Sequence, residues 1–305
     1  MTASSKSCLG PSFPLFPKLE DQIVKIARYA VNGEEKIGLV NGGILEIGRH
    51  LSNIPTDITS FIAGWHTFEP ALRSLLNMQP DHELSAVRLL APISSPRKIL
   101  GIGLNYADHL AESGMATPED QLWFSKSPTC ANGPFDPISL PRVSSQLDYE
   151  AELVVVIGRR CRYASHEEAA ASIFGYCAGN DVSVRDWQFK TSQFMLGKSF
   201  DTHAPHGPWI VTADEISPQQ GLDISCRVNG EVRQHSNTKH MFFDPVSQVE
   251  HLSQVMTLEP GDLLFTGTPE GVGAVRKPPV WLKIGDRVSV EVAGIGTIEN
   301  EVVAD

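Results

Sequence analysis

Cysteine is scarce and badly placed for structural chemistry: Cys8, Cys130, Cys161, Cys177 and Cys226 are odd in number, widely scattered and without a short-spaced pair. That excludes a small disulfide framework and the paired spacings of structural zinc sites. It predicts reduced thiols in a cytosol-like, cytoplasmic setting, with an organelle matrix left open. Basic residues are also in deficit, 25 Lys and Arg against 36 Asp and Glu, for a formal charge of −11. Without a basic patch, such a chain repels phosphate backbones and anionic lipid, so neither nucleic acid nor membrane is an expected partner. Apolar runs such as that from Leu153 to Ile157 are far shorter than the roughly 20 residues a membrane helix needs. No G-x-G-x-x-G follows a strand and opens a helix, which disfavours a dinucleotide-dependent dehydrogenase. Internal repeats and low-complexity tracts are absent too. What is present is length: 305 residues with 41% hydrophobic content suffice for one large core and a second small one.

Residues 1–19 hold Ser, Pro and an early Lys but neither an apolar signal core nor an Arg-rich amphipathic pattern, and read as a flexible arm. From Ile23 to Ile47 short apolar runs are broken at Asn32-Gly33 and Asn41-Gly42-Gly43, which are hairpin signals. Apolar spacing between Ile58 and Leu76 predicts one or two short helices. A small β-rich domain over 20–93 follows, closed by the Pro-containing stretch from Leu90 to Pro96. The larger unit, 97–305, contains predicted strands at Glu150 to Ile157, Ile224 to Val228, Asp262 to Thr266, Arg287 to Val292 and Gly296 to Val302. It also holds a capped helix from Ser165 to Phe174. No alternating βα rhythm is visible, so the expected class is α+β, mostly β.

Glu150 and Glu152 open a β-branched run, and a strand projects residues i and i+2 from one face. Adjacent carboxylates repel unless a hard cation neutralises them. Asp181 lies about 30 residues on, in AGNDVSVRDWQ, which reads as a chain returning to the same end of a sheet. All-oxygen ligands favour Mg²⁺, Mn²⁺ or Ca²⁺ over zinc, and three carboxylates leave coordination positions for water and substrate. The competing reading of an isolated E-x-E is a solvated strand face, and on spacing alone both stand.

Five ordered stretches then carry a resemblance: NYADHLAE at 105–112, DYEAELVVVIG at 148–158, NDVSVRDWQ at 180–188, LGKSFDT at 196–202 and LEPGDLLFTGTPEGVG at 258–273. With RVNGEVRQHSNTKHM at 227–241 and the later KPPVWLKIGD, they resemble the fumarylacetoacetate hydrolase family over nearly all of 97–305. The likeness is to the branch holding its domain-containing protein 2 and diketo-deoxy-sugar-acid hydrolases. It implies a mixed β-sandwich roll, usually a homodimer, with Mg²⁺ on Glu150, Glu152 and Asp181. It implies a catalytic dyad at His109 and Glu112, a neutral His braced by a carboxylate, and Lys198 as the fixed charge beside a developing enolate. Arg185, Gln188, Thr268 and Tyr106 are implied to bind a small oxo-acid substrate, Arg185 through its bidentate fork.

The activity so implied is hydrolysis of a C–C bond in a 2,4-dioxo acid, giving pyruvate or a related oxo acid plus a carboxylic acid. An oxaloacetate-type decarboxylase and a 2-hydroxy-diene-dioate isomerase would use the same site, and a non-catalytic binding protein would keep the fold alone. The sequence departs from the family at His203 and His206, read as pocket lining or a hydrogen-bonded pair in preference to a second metal site. Trp123 and Phe124 are read either as core or as a wall for an apolar acyl tail.

Overall fold

The computed structural model describes residues 23–108 and 119–305, so the arm and the positions His109 and Glu112 lie outside the described residues. The strands in chain order are β1 (Lys25–Val31), β2 (Glu34–Val40), β3 (Ile44–Glu46), β4 (Arg88–Leu90), β5 (Ile99–Gly103), β6 (Leu122–Lys126), β7 (Ala131–Asn132), β8 (Ile138–Leu140) and β9 (Leu147–Asp148). They continue as β10 (Ala151–Ile157), β11 (Ile173–Asn180), β12 (Ser183–Val184), β13 (Ala204–Thr212), β14 (Asp223–Val228), β15 (Glu231–Asn237), β16 (Leu263–Phe265), β17 (Arg287–Val292) and β18 (Gly296–Ala304).

The first hairpin forms where the turn chemistry places it. Asn32 and Gly33 both have positive φ, 53° and 82°, as the tight turn between twisted strands requires. The strands it joins do not stop at the small unit: β1 also pairs with β13, Lys25 opposite Val211. One mixed sheet therefore runs β3-β2-β1-β13-β11-β10-β16-β5-β6. A second sheet runs β15-β14-β17-β18-β8, and β9 pairs with β12.

The unbroken apolar run of β10 follows from its position, because a strand covered on both faces has no polar side to alternate with. Leu153, Val155 and Ile157 pack into the core shared with Val288, Val290 and Ile298 of the second sheet. Val154 and Val156 face the other way, into a core with Phe61, Leu72 and Phe265. Helices Ile58–Ala63 and Trp65–Ser74 cover that second face, the first capped by the Asp57 carboxylate accepting from the Ser60 N–H. The helix His166–Ser172 starts with the reciprocal Ser165 and Glu168 capping box and ends before Phe174 because Ile173 already belongs to β11. No helix among the described residues is long and apolar enough to cross a membrane.

The candidate acidic site

Register between β10 and β11 creates the site. Ala151 pairs with Asn180 and Glu152 with Gly179, and the ladder runs one step further, the Asp181 N–H donating to the Glu150 carbonyl at 2.9 Å. The Asn180 side-chain oxygen accepts from the Glu150 N–H. Glu150 and Asp181 are thereby fixed opposite each other, and Glu152 projects from the same face as Glu150. Oxygens of all three carboxylates lie within 4.8 Å of one another, and all three residues are buried. The solvated-face alternative is thus excluded by burial.

Cations surround two of the three carboxylates. Lys198, ending the short helix Met195–Lys198, donates to Glu150 Oε2 and to Asp181 Oδ2, both at 2.7 Å. Lys126, fully buried at the end of β6, donates to Asp181 Oδ1 at 2.5 Å. Arg185 Nη1 is 2.6 Å from Glu150 Oε1, and its Nε donates to Asp148 Oδ2 at 2.8 Å. Asp148 is itself buried and accepts the N–H groups of Gly273 and Ala274. Burial alone would raise the Glu150 carboxyl, but Lys198 and Arg185 overcome it and hold the group at about 2.

Glu152 differs from its neighbours. It forms no ion pair among the described residues and accepts one hydrogen bond, from the Gly267 N–H at 2.7 Å. Gly267 sits at φ 96°, a conformation glycine adopts without strain, which aims that N–H inward. Burial, Asp181 and Glu150 together push the Glu152 carboxyl well above the usual carboxylate range. Burial works against the Lys198 ammonium, yet Asp181 and Glu150 raise it, so it stays charged. A hard divalent cation fits this donor set: oxygen ligands only, with one buried carboxylate lacking a positive partner.

Of the triad, Glu150 lines a cavity of about 490 Å³, together with Arg185, Gln188, Lys198 and Thr268, with Phe124, Phe189, Phe194 and Val275 as its apolar wall. Gln188 accepts from Arg185, and Thr268 is held between the Ala151 carbonyl and the Gln234 amide. Tyr106 is fully buried, does not line this cavity, and keeps a hydroxyl without a hydrogen-bond partner among the described residues. The two aromatics divide: Phe124 lies on the cavity wall, with the Lys198 ammonium 5.0 Å from its ring centroid, while Trp123 packs against the core. His203 and His206 are neither a ligand pair nor lining. Their segment leads into β13, His203 bonds the Ser139 carbonyl, and His206 bonds the Ala204 carbonyl and accepts from the Ile93 N–H. Burial pushes them down to about 3 and about 4.

Lys126, Asp148 and Gln234 are the site-building residues that sequence reasoning missed. Asp148 was within reach, sitting two residues before Glu150 in the quoted motif; Lys126 gives no local signal.

A mixed sheet that sets three buried carboxylates beside buried lysines, with Glu150 and Lys198 lining one cavity, defines a class of scaffold whose acidic group could hold a metal ion. The chain belongs to the fumarylacetoacetate hydrolase family: the model of the family's C-terminal domain matches residues 98–303. It is 42% identical over 265 residues to the mitochondrial oxaloacetate tautomerase FAHD2A of Bos taurus, covering 86% of this chain and 84% of that one. Among solved structures it is similar to a 2-hydroxyhepta-2,4-diene-1,7-dioate isomerase from Mycobacterium marinum, 34% identical with TM-score 0.73 over 92% of this chain and 99% of that one. It is also similar to a maleylpyruvate hydrolase from Sphingobium sp. SYK-6 solved with manganese(II) and pyruvate, 30% identical with TM-score 0.77 over 92% and 99%. The relatives are thus enzymes whose names span tautomerase, isomerase and hydrolase.

Proposed function

We propose that the chain is a divalent-metal-dependent enzyme of 2-oxo-acid enol chemistry, and that its reaction is keto–enol tautomerisation of oxaloacetate. The observation that carries the metal and enolate part is the buried triad with an unpaired Glu152 beside a charged Lys198. The choice of reaction is supported by the 42% identity to an oxaloacetate tautomerase over most of both chains.

Glu150, Glu152 and Asp181 would hold Mg²⁺ or Mn²⁺, which when bound polarises the oxygens of an oxo acid. The chain's own residues supply the rest. Lys198 donates to the oxygen on which enolate charge develops and, staying protonated, acts as a fixed positive charge and not as a base. Arg185, locked by Asp148, fixes the orientation of Glu150. Thr268 and Gln188 border the space for the substrate carboxylate. His109 and Glu112 are assigned the proton relay: one proton leaves the enol hydroxyl, one is delivered to C3, and the composition of the substrate is unchanged. The thiols Cys130, Cys161, Cys177 and Cys226 are buried and unpaired, which suits a reducing compartment, the cytosol or a mitochondrial one such as the FAHD2A relative's name gives.

C–C hydrolysis of an acylpyruvate is the second reading, favoured by the aromatic wall of Phe124, Phe189 and Phe194, which offers more apolar surface than a four-carbon diacid covers. The two separate in one assay. Disappearance of the enol form of oxaloacetate and release of pyruvate are followed with Mg²⁺, with Mn²⁺ and with EDTA, alongside an acylpyruvate. Metal-dependent loss of enol without pyruvate is the expected result. Pyruvate from the acylpyruvate with no acceleration of enol decay would replace the tautomerase by the hydrolase.

A further inference from the structure

We infer that Lys277 is a specificity-determining residue that reads a second, distal carboxylate, making the preferred ligands 2-oxo dicarboxylates; the inference rests on the chelate reading above. Lys277 borders the same cavity as Glu150, Lys198 and Thr268. The other cations around this site are committed: Lys126 and Lys198 to Asp181, Lys198 also to Glu150, and Arg185 to Glu150 and Asp148. Lys277 has no ion pair or hydrogen bond among the described residues. It is nevertheless not on a loose strand of chain. Arg276 and Val280 both donate backbone N–H groups to the Gly273 carbonyl, pinning the loop at either side of Lys277.

The charge balance of the molecule gives that cation a purpose. A chain of formal charge −11 repels a dianion at long range, and a lone ammonium at the cavity mouth offsets the repulsion where the ligand enters. Apart from Glu150, Arg185, Gln188, Lys198, Thr268 and Lys277 itself, the cavity lining is apolar, so the acidic end of a ligand whose oxo-acid head lies beside Glu150 meets one uncommitted positive group. A monocarboxylic oxo acid leaves Lys277 with water alone.

The test is binding to the Mn²⁺-loaded chain, by calorimetry or competition, of oxalate, of the diacids 2-oxoglutarate and 2-oxoadipate, and of the equally long monoacids 2-oxopentanoate and 2-oxohexanoate. One diacid should bind tighter than its monoacid by up to about fivefold, the upper end for an exposed ion pair, and the diacid favoured reports the reach of Lys277. The ratio should fall to about one in Lys277→Ala, invert in Lys277→Glu, and shrink with added salt, because Lys277 is exposed. Equal binding of diacid and monoacid at both lengths, or an unchanged ratio in Lys277→Ala, would overturn the assignment while leaving the chelate intact. Failure of oxalate to bind the wild-type chain would sink the chelate reading and this inference with it.

Discussion

Two clusters of charge in this molecule use the same residue types and behave differently. In the N-terminal unit Glu46 pairs with Lys36 at 2.8 Å, and Asp81 is shared by Arg49 at 3.0 Å and His50 at 2.9 Å. The Arg49 side chain is 55% exposed, so water completes whatever the pairs leave unsatisfied. Around β10, four buried carboxylates, Asp148, Glu150, Glu152 and Asp181, face three buried cations, Lys126, Arg185 and Lys198. Water cannot make up that difference. The difference teaches that burial, more than the presence of ion pairs, turns a set of charges into a candidate site: a solvated cluster is a fastening, and a buried one with an odd carboxylate is a group that could hold a cation.

The contrast breaks most sharply at Asp148. Asp148→Ala leaves Arg185 buried beside fewer acceptors and strips the backbone N–H groups of Tyr149, Gly273 and Ala274 of theirs, so urea unfolding should show a loss of about 3–5 kcal/mol. Acid comes next. Glu150 is held at about 2, below its ordinary 4.5, so its contribution is present above 4.5 and is lost as pH falls through about 2. It amounts to about 3 kcal/mol, and Glu150→Gln should flatten the metal-free stability profile in that window.

Glu152 shifts the other way. Its raised carboxyl gives a contribution present below 4.5 and lost as pH rises through the elevated value. Glu152→Gln should therefore leave metal-free stability nearly unchanged below pH 4.5 and raise it relative to the wild type as pH climbs through the elevated value, while weakening Mn²⁺ binding at least about tenfold. Titration calorimetry in buffers of different ionisation heat should show proton release on Mn²⁺ binding by the wild type and little by the variant. Smallest is Arg49→Ala, whose effect on the urea midpoint should be barely measurable and should fade with salt. A loss as large as that of Asp148→Ala would dissolve the contrast between the two clusters.

What the sequence made legible follows from which interactions are local. Asn32-Gly33 names its own hairpin, and Ser165 with Glu168 names its own helix start, because the partners lie within a few residues. Glu150 and Glu152 were readable by strand parity, and Asp181 by the return of the chain to the sheet end. Lys126 was not. Its partner is 55 residues away, and a lysine in a short run at a strand end looks like solvent chemistry until β5 and β6 are paired beside β16. His203 and His206 were underread for the same reason, since β13 is fixed by β1 and β11 and not by its own sequence.

The triad carboxylates are anchored to the register of two central strands, while Phe189, Phe194, Val275 and Lys277 stand on short connecting segments around the cavity. Substitutions in those segments can redraw the shape and charge of the entrance without sliding β10 against β11. The scaffold therefore separates what is inherited from what can drift: on the proposed function, the sheet would fix the reactive head of the ligand, and the rim would leave the identity of its tail open to change.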